Sequence, residues 1–341
     1  MTAGEYWIQA RSDRWGLSIE LWGEDLRDNI RVSVIGVGFW GRNHARVFSE
    51  LEGVTLESVY DVKFDVAKSI ADRYGCRAAE SLDDAIRCSD AVTICTPTST
   101  HFEVAKRVLE LEKPLLIEKP ITAKSSEALE LIKKADEKNL LLMVGHIERF
   151  NMGFKRICDL IKRGKLGELI SIRTKRVSGG SARILDVGVM LDLAIHDLDL
   201  IMALTGSAPS YIYSIAGSKY SPNEDYVYVM LSMENDVQAY IEASWLTKRK
   251  IRIMEVTGSE GIAELNFLSQ EVTVKLGEEE FKLTGMWVEP LKLELENFVK
   301  SIKGLEKPLV TGVDGYRALK CAELALEAAR LRRPVKVEFE A

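Results

Sequence analysis

Three glycines and an aspartate carry the first chemistry in this sequence. Residues 32–41 read VSVIGVGFWG, an apolar run that passes directly into Gly36-x-Gly38-x-x-Gly41, and the helix-compatible RNHARVFSEL follows. Between a strand and a helix, Gly36 permits the tight turn, Gly38 lets the backbone approach a pyrophosphate, and Gly41 lets helix and strand pack closely. Phe39 and Trp40 sit within the same loop and are expected cofactor contacts. The pyrophosphate would rest on N–H groups at the helix N-terminus, where the dipole favours negative charge. Twenty residues after Gly41, LESVYD closes an apolar strand with Asp61, placed to bind the hydroxyls of an adenosine ribose. A carboxylate there repels a 2′-phosphate, so NAD is expected ahead of NADP, with Lys63 able to soften the preference.

Two further groups could move protons. The strand candidate 114–118 ends in Glu118-Lys119-Pro120. Lys119 would project from the carboxyl edge of a sheet, held at a defined backbone angle by Pro120; a surface lysine at a strand end is the plain alternative. The helical run VMLDLAIHDLDLIMALTG (189–206) sets Asp192, His196 and Asp199 at i, i+4 and i+7, one stripe on one face. Their neighbours are apolar nearly all round, which predicts a buried helix. Imidazole is the side chain best suited to proton transfer near neutral pH; a core histidine capped by a carboxylate is the structural alternative. The chain has four histidines (His44, His101, His146, His196) and no HxxxH or HxH pair, so no metal is expected. Just before the helix lie Arg173, Lys175, Arg176 and Arg183. Strand alternation puts Arg173 and Lys175 on one face and Arg176 on the other. Guanidinium groups suit phosphate, and a solvated sheet face is the alternative.

These groups need a scaffold. From 32 to about 147 strand candidates (32–37, 56–60, 91–95, 114–118, 141–145) alternate with helix candidates (41–51, 63–74, 81–87, 100–111, 124–138). The strands are apolar throughout, as expected when helices cover both faces, and the alternation predicts a parallel doubly wound sheet. Beyond it come a helix near 151–163, a strand at 168–177, the helix 189–206 and six strands between 210 and 276, with two closing helices near 289–304 and 313–332. Short turns such as MENDV predict a mostly antiparallel second sheet. The expected organisation is a segment 1–30 of unassigned role with three of the six tryptophans, a dinucleotide-binding domain over 31–147, and a substrate and oligomerisation domain over 148–341.

Composition limits the partners. A net charge of −6 argues against nucleic acid. Five scattered cysteines without a CxxC pair argue against a zinc site or disulfide framework and fit a reducing cytoplasm. No apolar run is long enough to span a membrane.

With the glycine loop, Asp61, CTPTSTH (95–101), EKP (118–120) and LDLAIHDLD (191–199) in this order, the chain resembles the glucose–fructose oxidoreductase/inositol dehydrogenase family over roughly 31–340. The resemblance implies a Rossmann domain, a C-terminal α/β domain with an open, mainly antiparallel sheet, and a homodimer or homotetramer formed through that sheet. It matches Lys119, Asp192 and His196 to the family's catalytic Lys, Asp and His. Thr96, Pro97, His101 and Glu118 match positions near the nicotinamide and its ribose. Segments 181–199 and 289–320 look most like the members that oxidise UDP-N-acetylglucosamine at C3. The implied reaction is oxidation of a secondary hydroxyl by NAD. His196 would take the proton, Asp192 would orient the imidazole, and Lys119 would donate to the substrate oxygen. Arg173 and above all Arg183 are the expected diphosphate contacts. Oxidation of a free polyol or monosaccharide, hydride shuttling on a retained cofactor, and a non-catalytic sugar or dinucleotide sensor are the alternatives. One departure is Met152, where proline is expected after Asn151; it predicts a different helix start.

Overall fold

The structure, a computed structural model, describes residues 29–179 and 187–340. The N-terminal segment up to residue 28 and Arg183 lie outside the described residues.

The first sheet contains β1 (Ile30–Ile35), β2 (Val54–Tyr60), β3 (Arg77–Ala78), β4 (Ala91–Ile94), β5 (Leu115–Glu118) and β6 (Leu142–Gly145). All pairings are parallel, in the order β3-β2-β1-β4-β5-β6. β4, β5 and β6 are buried along their whole length, because helices flank both faces: α1 (Phe39–Glu50), α2 (Phe64–Tyr74), α3 (Leu82–Arg87), α4 (His101–Glu110) and α5 (Ser125–Glu137). The strand order reverses between β1 and β4, which opens a crevice at the carboxyl ends of the strands. Gly36–Gly41, Asp61, Thr96 and Lys119 all lie along that edge.

The chain then forms α6 (Met152–Lys162), β7 (Leu169–Val177), a π turn (Met190–Ala194), α7 (Ile195–Thr205) and the strands β8 (Pro209–Gly217), β9 (Tyr226–Met233), β10 (Gln238–Ser244), β11 (Ile251–Gly258), β12 (Gly261–Asn266), β13 (Glu271–Leu276) and β14 (Glu279–Leu283). Helices α8 (Pro290–Ile302) and α9 (Gly312–Leu331) and the short β15 (Val335–Lys336) follow. The second sheet runs β14-β13-β12-β11-β7-β10-β9-β8-β15, antiparallel throughout except for the parallel β7–β10 pair. α6, α7 and α9 pack on its inner face, where Ile172, Val229, Ile241, Met254 and Val256 meet Leu198, Ile201 and Ala325. Met152 opens α6 without difficulty, because the Asn151 side chain accepts the Gly153 N–H at 3.0 Å. Helix α8 turns back to the first sheet, and Leu291, Leu295 and Phe298 join that core with Phe48 and Ile117.

Three strands escape the alternation rule. β3 and β15 have two residues each, and β14 reads EEFKL, with charges on most of its positions.

A buried ion cluster joins β7 to α7. Arg176 has 1% of its side chain exposed. It donates to Asp197 Oδ2 and Oδ1 at 3.0 and 2.9 Å and to Glu148 Oε1 at 2.6 Å, and it lies over the Phe267 ring. Removing one member of such a cluster leaves charge buried and unpaired, at a cost of about 3–5 kcal/mol. Arg176→Met should therefore lower stability by that order, read as a fall in the urea midpoint; an unchanged midpoint would contradict the balance described.

Candidate active site

At one end of the crevice the backbone is shaped for a phosphate. Gly36 adopts φ +83°, and a Cβ there would lie 2.8 Å from the Thr96 backbone nitrogen. A Cβ on Gly41 would lie 1.8 Å from the Gly36 carbonyl oxygen, whereas one on Gly38 would meet nothing within 4 Å. Glycines 36 and 41 thus serve the turn and its packing, while Gly38 leaves open space. Helix α1 begins at Phe39 with no side-chain cap and no acid in its first turn, so its first N–H groups face the loop unopposed by negative charge. Asp61 directly follows β2 and accepts the Val37 N–H through Oδ2 and the Lys63 N–H through Oδ1, each at 3.0 Å. It thereby ties the glycine loop to the next strand. Phe39 and Trp40 are exposed and meet edge to face, 5.7 Å apart. A pyrophosphate and adenosine fit these residues.

The loops after β4 and β5 are bound to each other. His101 is buried with Nδ1 2.8 Å from the Pro120 carbonyl and Nε2 2.9 Å from the Thr96 carbonyl. The ring spans the two loops and fixes Thr96 and Pro97 relative to Lys119. Glu118, expected beside the nicotinamide, is instead buried: Oε1 lies 2.9 Å from His44 Nε2, and Oε2 accepts the Lys119 N–H at 3.2 Å. Strand alternation explains the difference, since Glu118 and Lys119 must point to opposite sides. Thr93 Oγ1 is 3.0 Å from His44 Nδ1. Glu294, from α8, is fully buried beside this pair with neither oxygen hydrogen-bonded among the described residues. Burial first, and then the charge of Glu118, holds its carboxyl far above the usual range and therefore neutral. His44, Glu118 and Glu294 offer ligand atoms within 4.8 Å of one another. Histidine spacing alone could not reveal this group, because its members come from three separate segments.

Lys119 reaches across to the second sheet's helix. Its Nζ donates to the Asp192 carbonyl at 2.6 Å and to Asp192 Oδ1 at 3.2 Å. The other carboxylate oxygen, Oδ2, accepts from Trp245 Nε1 at 3.1 Å. This corrects the expected role of Asp192, which grips Lys119 and Trp245 and makes no hydrogen bond to His196. The local cause is the π turn at Met190–Ala194, which breaks the i, i+4 stacking of an ordinary helix. His196 is 7% exposed, its Nδ1 has no hydrogen-bond partner among the described residues, and its ring meets His146 edge to face at 6.2 Å. Burial and then the Lys119 charge hold its pKa well below the ordinary 6.5, so the imidazole is neutral at pH 7. Asp199 turns away from the stripe to pair with Arg149 through two bonds of 2.7 Å.

The basic group divides by face. Arg173 is exposed on the outer face and lies 3.8 Å from Glu255, and Lys175 lies 3.0 Å from Glu242. Arg173 and Lys175 therefore face away from α7, and the structure does not bring Arg173, an expected substrate contact, to the side of the sheet that carries His196. The cation missed is Arg252. It pairs in register with Arg176, so it shares the inner face, and its Nη1 lies 3.5 Å from Glu148. The buried parity of Met254 and Val256 in IRIMEV is the signal that could have found it. Trp245 lies 53 residues from Asp192 and leaves no comparable trace in spacing.

Residues 30–146 match the oxidoreductase family with an NAD-binding Rossmann fold, and residues 154–264 match the Gfo/Idh/MocA C-terminal domain. The UDP-N-acetylglucosamine 3-dehydrogenase of Acidithiobacillus ferrooxidans is 30% identical over 315 residues, 88% of this chain and 98% of the relative. The chain belongs to the Gfo/Idh/MocA family. A solved structure of that dehydrogenase superposes with a TM-score of 0.83, covering 89% of this chain and 98% of the other. Among other Gfo/Idh/MocA relatives, the inositol 2-dehydrogenase of Rhizobium meliloti is 27% identical over 90% of this chain and 99% of its own. The present Gfo/Idh/MocA chain is an NAD(P)-dependent oxidoreductase with an NAD-binding Rossmann fold.

Gly38, which faces open space, and Gly41, which is packed against the Gly36 carbonyl, should separate binding from folding. Gly38→Ala should keep the wild-type melting temperature yet weaken NAD binding by about tenfold or more, since its methyl enters the space for the pyrophosphate. Gly41→Ala should lower both. Calorimetric melting and NAD titration read the two effects; Gly38→Ala with unaltered NAD affinity would contradict the assignment of the loop.

Proposed function

We propose that this protein oxidises a secondary hydroxyl of a nucleotide-linked amino sugar, UDP-N-acetylglucosamine at C3, to a keto sugar. The observation that carries the catalytic reading is the cation–carboxylate contact of Lys119 and Asp192 beside an imidazole kept neutral by burial and by that cation. Bound NAD supplies the hydride acceptor. A neutral His196 is ready to take the hydroxyl proton as the carbinol carbon is oxidised. Lys119, already confined by the Asp192 carbonyl and carboxylate, donates to the same oxygen and stabilises the negative charge that develops on it. Asp192 keeps the ammonium in place and offsets the imidazolium formed at His196. His101 and Glu118 act on the backbone of the loops that carry Thr96 and Lys119. A carboxylate at Asp61 supports NAD over NADP.

The substrate assignment draws on the likeness to the Acidithiobacillus ferrooxidans dehydrogenase, 30% identical over nearly the full length of both chains. Relatives named for inositol oxidation, such as that of Rhizobium meliloti, support the second reading, a free polyol or monosaccharide. The outer face of the second sheet presents Ile215, Tyr228 and Met230 to solvent, which supports a homodimer or homotetramer; sedimentation velocity giving only a monomer would remove that element. No helix among the described residues is long and apolar enough to cross a membrane, and five free cysteines are consistent with a reducing cytoplasm.

One assay tests the whole reading. Cofactor reduction is followed with UDP-N-acetylglucosamine, N-acetylglucosamine and inositol under saturating NAD, for the wild type, Lys119→Ala and His196→Asn. The nucleotide sugar should give by far the highest kcat/KM, with NADP a poorer cofactor. Each variant should lose about 10²- to 10⁴-fold in turnover while still binding NAD. Preference for a free sugar or inositol would remove the substrate assignment, and near-normal turnover in a folded variant would remove that residue's role.

A further inference from the structure

The connection from β10 to β11 and the start of β11 hold four cations within five residues, Lys248, Arg249, Lys250 and Arg252, in a chain whose net charge is −6. At its start Trp245 is fastened to Asp192 through Nε1, so the basic strip begins beside the Lys119–Asp192 contact. At its end Arg252 turns to the inner face of the sheet, level with Arg176. Its one ion-pair partner among the described residues is Glu148 Oε1 at 3.5 Å, an oxygen that Arg176 already holds at 2.6 Å. Asp197 is likewise bound by Arg176. Lys248, Arg249 and Lys250 make no ion pair among the described residues and are exposed. Three carboxylates, Glu148, Asp192 and Asp197, thus face four cations, Lys119, Arg176, Arg252 and Lys250, with Asp192 already held by Lys119, and positive charge is left over. The crowding has a measurable trace: burial and then Arg176 depress the Arg252 pKa, and Arg252 depresses that of Lys250.

We infer that Arg252 and Lys250 form an anion subsite that receives the diphosphate of a nucleotide-linked substrate. The inference rests on the proposed function and replaces Arg173, which faces the other side of the sheet, as the contact. Arg252 is the better anchor. Its guanidinium is planar and can pair bidentately with phosphate oxygens, it keeps only a shared carboxylate as partner, and it retains 27% of its side-chain exposure. Lys250 adds a point charge at the rim. An arriving dianion relieves the repulsion among Arg176, Arg252 and Lys250, so binding energy is gained where these cations crowd one another. That energy comes from a part of the substrate remote from the reacting carbon and can orient the sugar ring. Four cations on an acidic chain are too few for a nucleic-acid track.

The test titrates UDP, and separately N-acetylglucosamine, into the NAD-loaded protein as wild type, Arg252→Gln and Lys250→Gln. NAD affinity serves as the check on folding; Lys250, being exposed, provides a variant whose fold is not at risk. UDP should bind the wild type, and its affinity should fall about 10- to 100-fold in Arg252→Gln, the range for loss of a charge-assisted hydrogen bond. A fall of a few-fold is expected in Lys250→Gln, and N-acetylglucosamine should show no difference. Wild-type affinity for UDP should also decrease with added salt more steeply than that of Arg252→Gln. Equal UDP affinity in all three proteins, or no UDP binding by the wild type, would overturn the subsite. A change of oligomeric state with UDP binding intact would assign the strip to a partner subunit and overturn it as well. Turnover separates this from the broader reading. If UDP-N-acetylglucosamine is oxidised with the same KM in every variant, the subsite fails and the function stands. If only inositol is oxidised while UDP binding depends on Arg252, the function fails and the subsite stands.

Discussion

The Lys119 ammonium, pinned to both the carbonyl and the carboxylate of Asp192, is the contact on which the rest of the site depends. It joins the edge of a parallel sheet to a helix lying on an antiparallel one. Each partner is itself constrained. Lys119 follows Glu118, whose side chain is fixed by His44 and binds the Lys119 N–H. Asp192 sits in a π turn and is held from the far side by Trp245. A lysine so confined loses little further freedom when a substrate oxygen arrives. Preorganisation of this kind is what electrostatic stabilisation requires.

The same cation sets the state of its neighbour. His196 is buried, and Lys119 is joined near it by Arg176 and Arg252, all three lowering its pKa. A second proton would add to positive charge already there. The carboxylates that could balance it are committed elsewhere, Asp197 to Arg176 and Asp199 to Arg149. The buried ion pairs around α7 therefore do two things. They hold helix, β7 and the Ile147–Phe150 turn together, and they keep carboxylates from turning the imidazole into an imidazolium before substrate binds.

The fold was legible wherever burial dictates composition. Strands β4, β5 and β6 are mainly apolar because both their faces are covered, β1 and β2 keep apolar residues at most of their buried positions, and the alternation in β7 to β13 follows from one covered face. The two-residue strands β3 and β15 and the charged β14 carry no such pressure and leave no pattern. In the site, the glycines, Asp61, Lys119, Asp192 and His196 were legible because local geometry demands particular residue types. Contacts made through space were not. Trp245 reaches Asp192 from the β10–β11 connection, Glu294 arrives beside Glu118 from α8, and the π turn breaks a stripe that an ideal helix would keep. Arg173 was misplaced because a basic residue near the site helix in sequence need not share its face, and the parity of β7 and β11 points to Arg252 instead.

Burial and the Lys119 cation oppose protonation of His196 and keep it a neutral base at physiological pH. Its imidazole titration, followed by NMR of the ring in the folded wild-type protein and assigned by its disappearance in His196→Asn, measures this directly. The midpoint should lie well below the ordinary 6.5 and move upward in Lys119→Met. A His196 titrating at or above 6.5, or one insensitive to the loss of Lys119, would contradict this assignment.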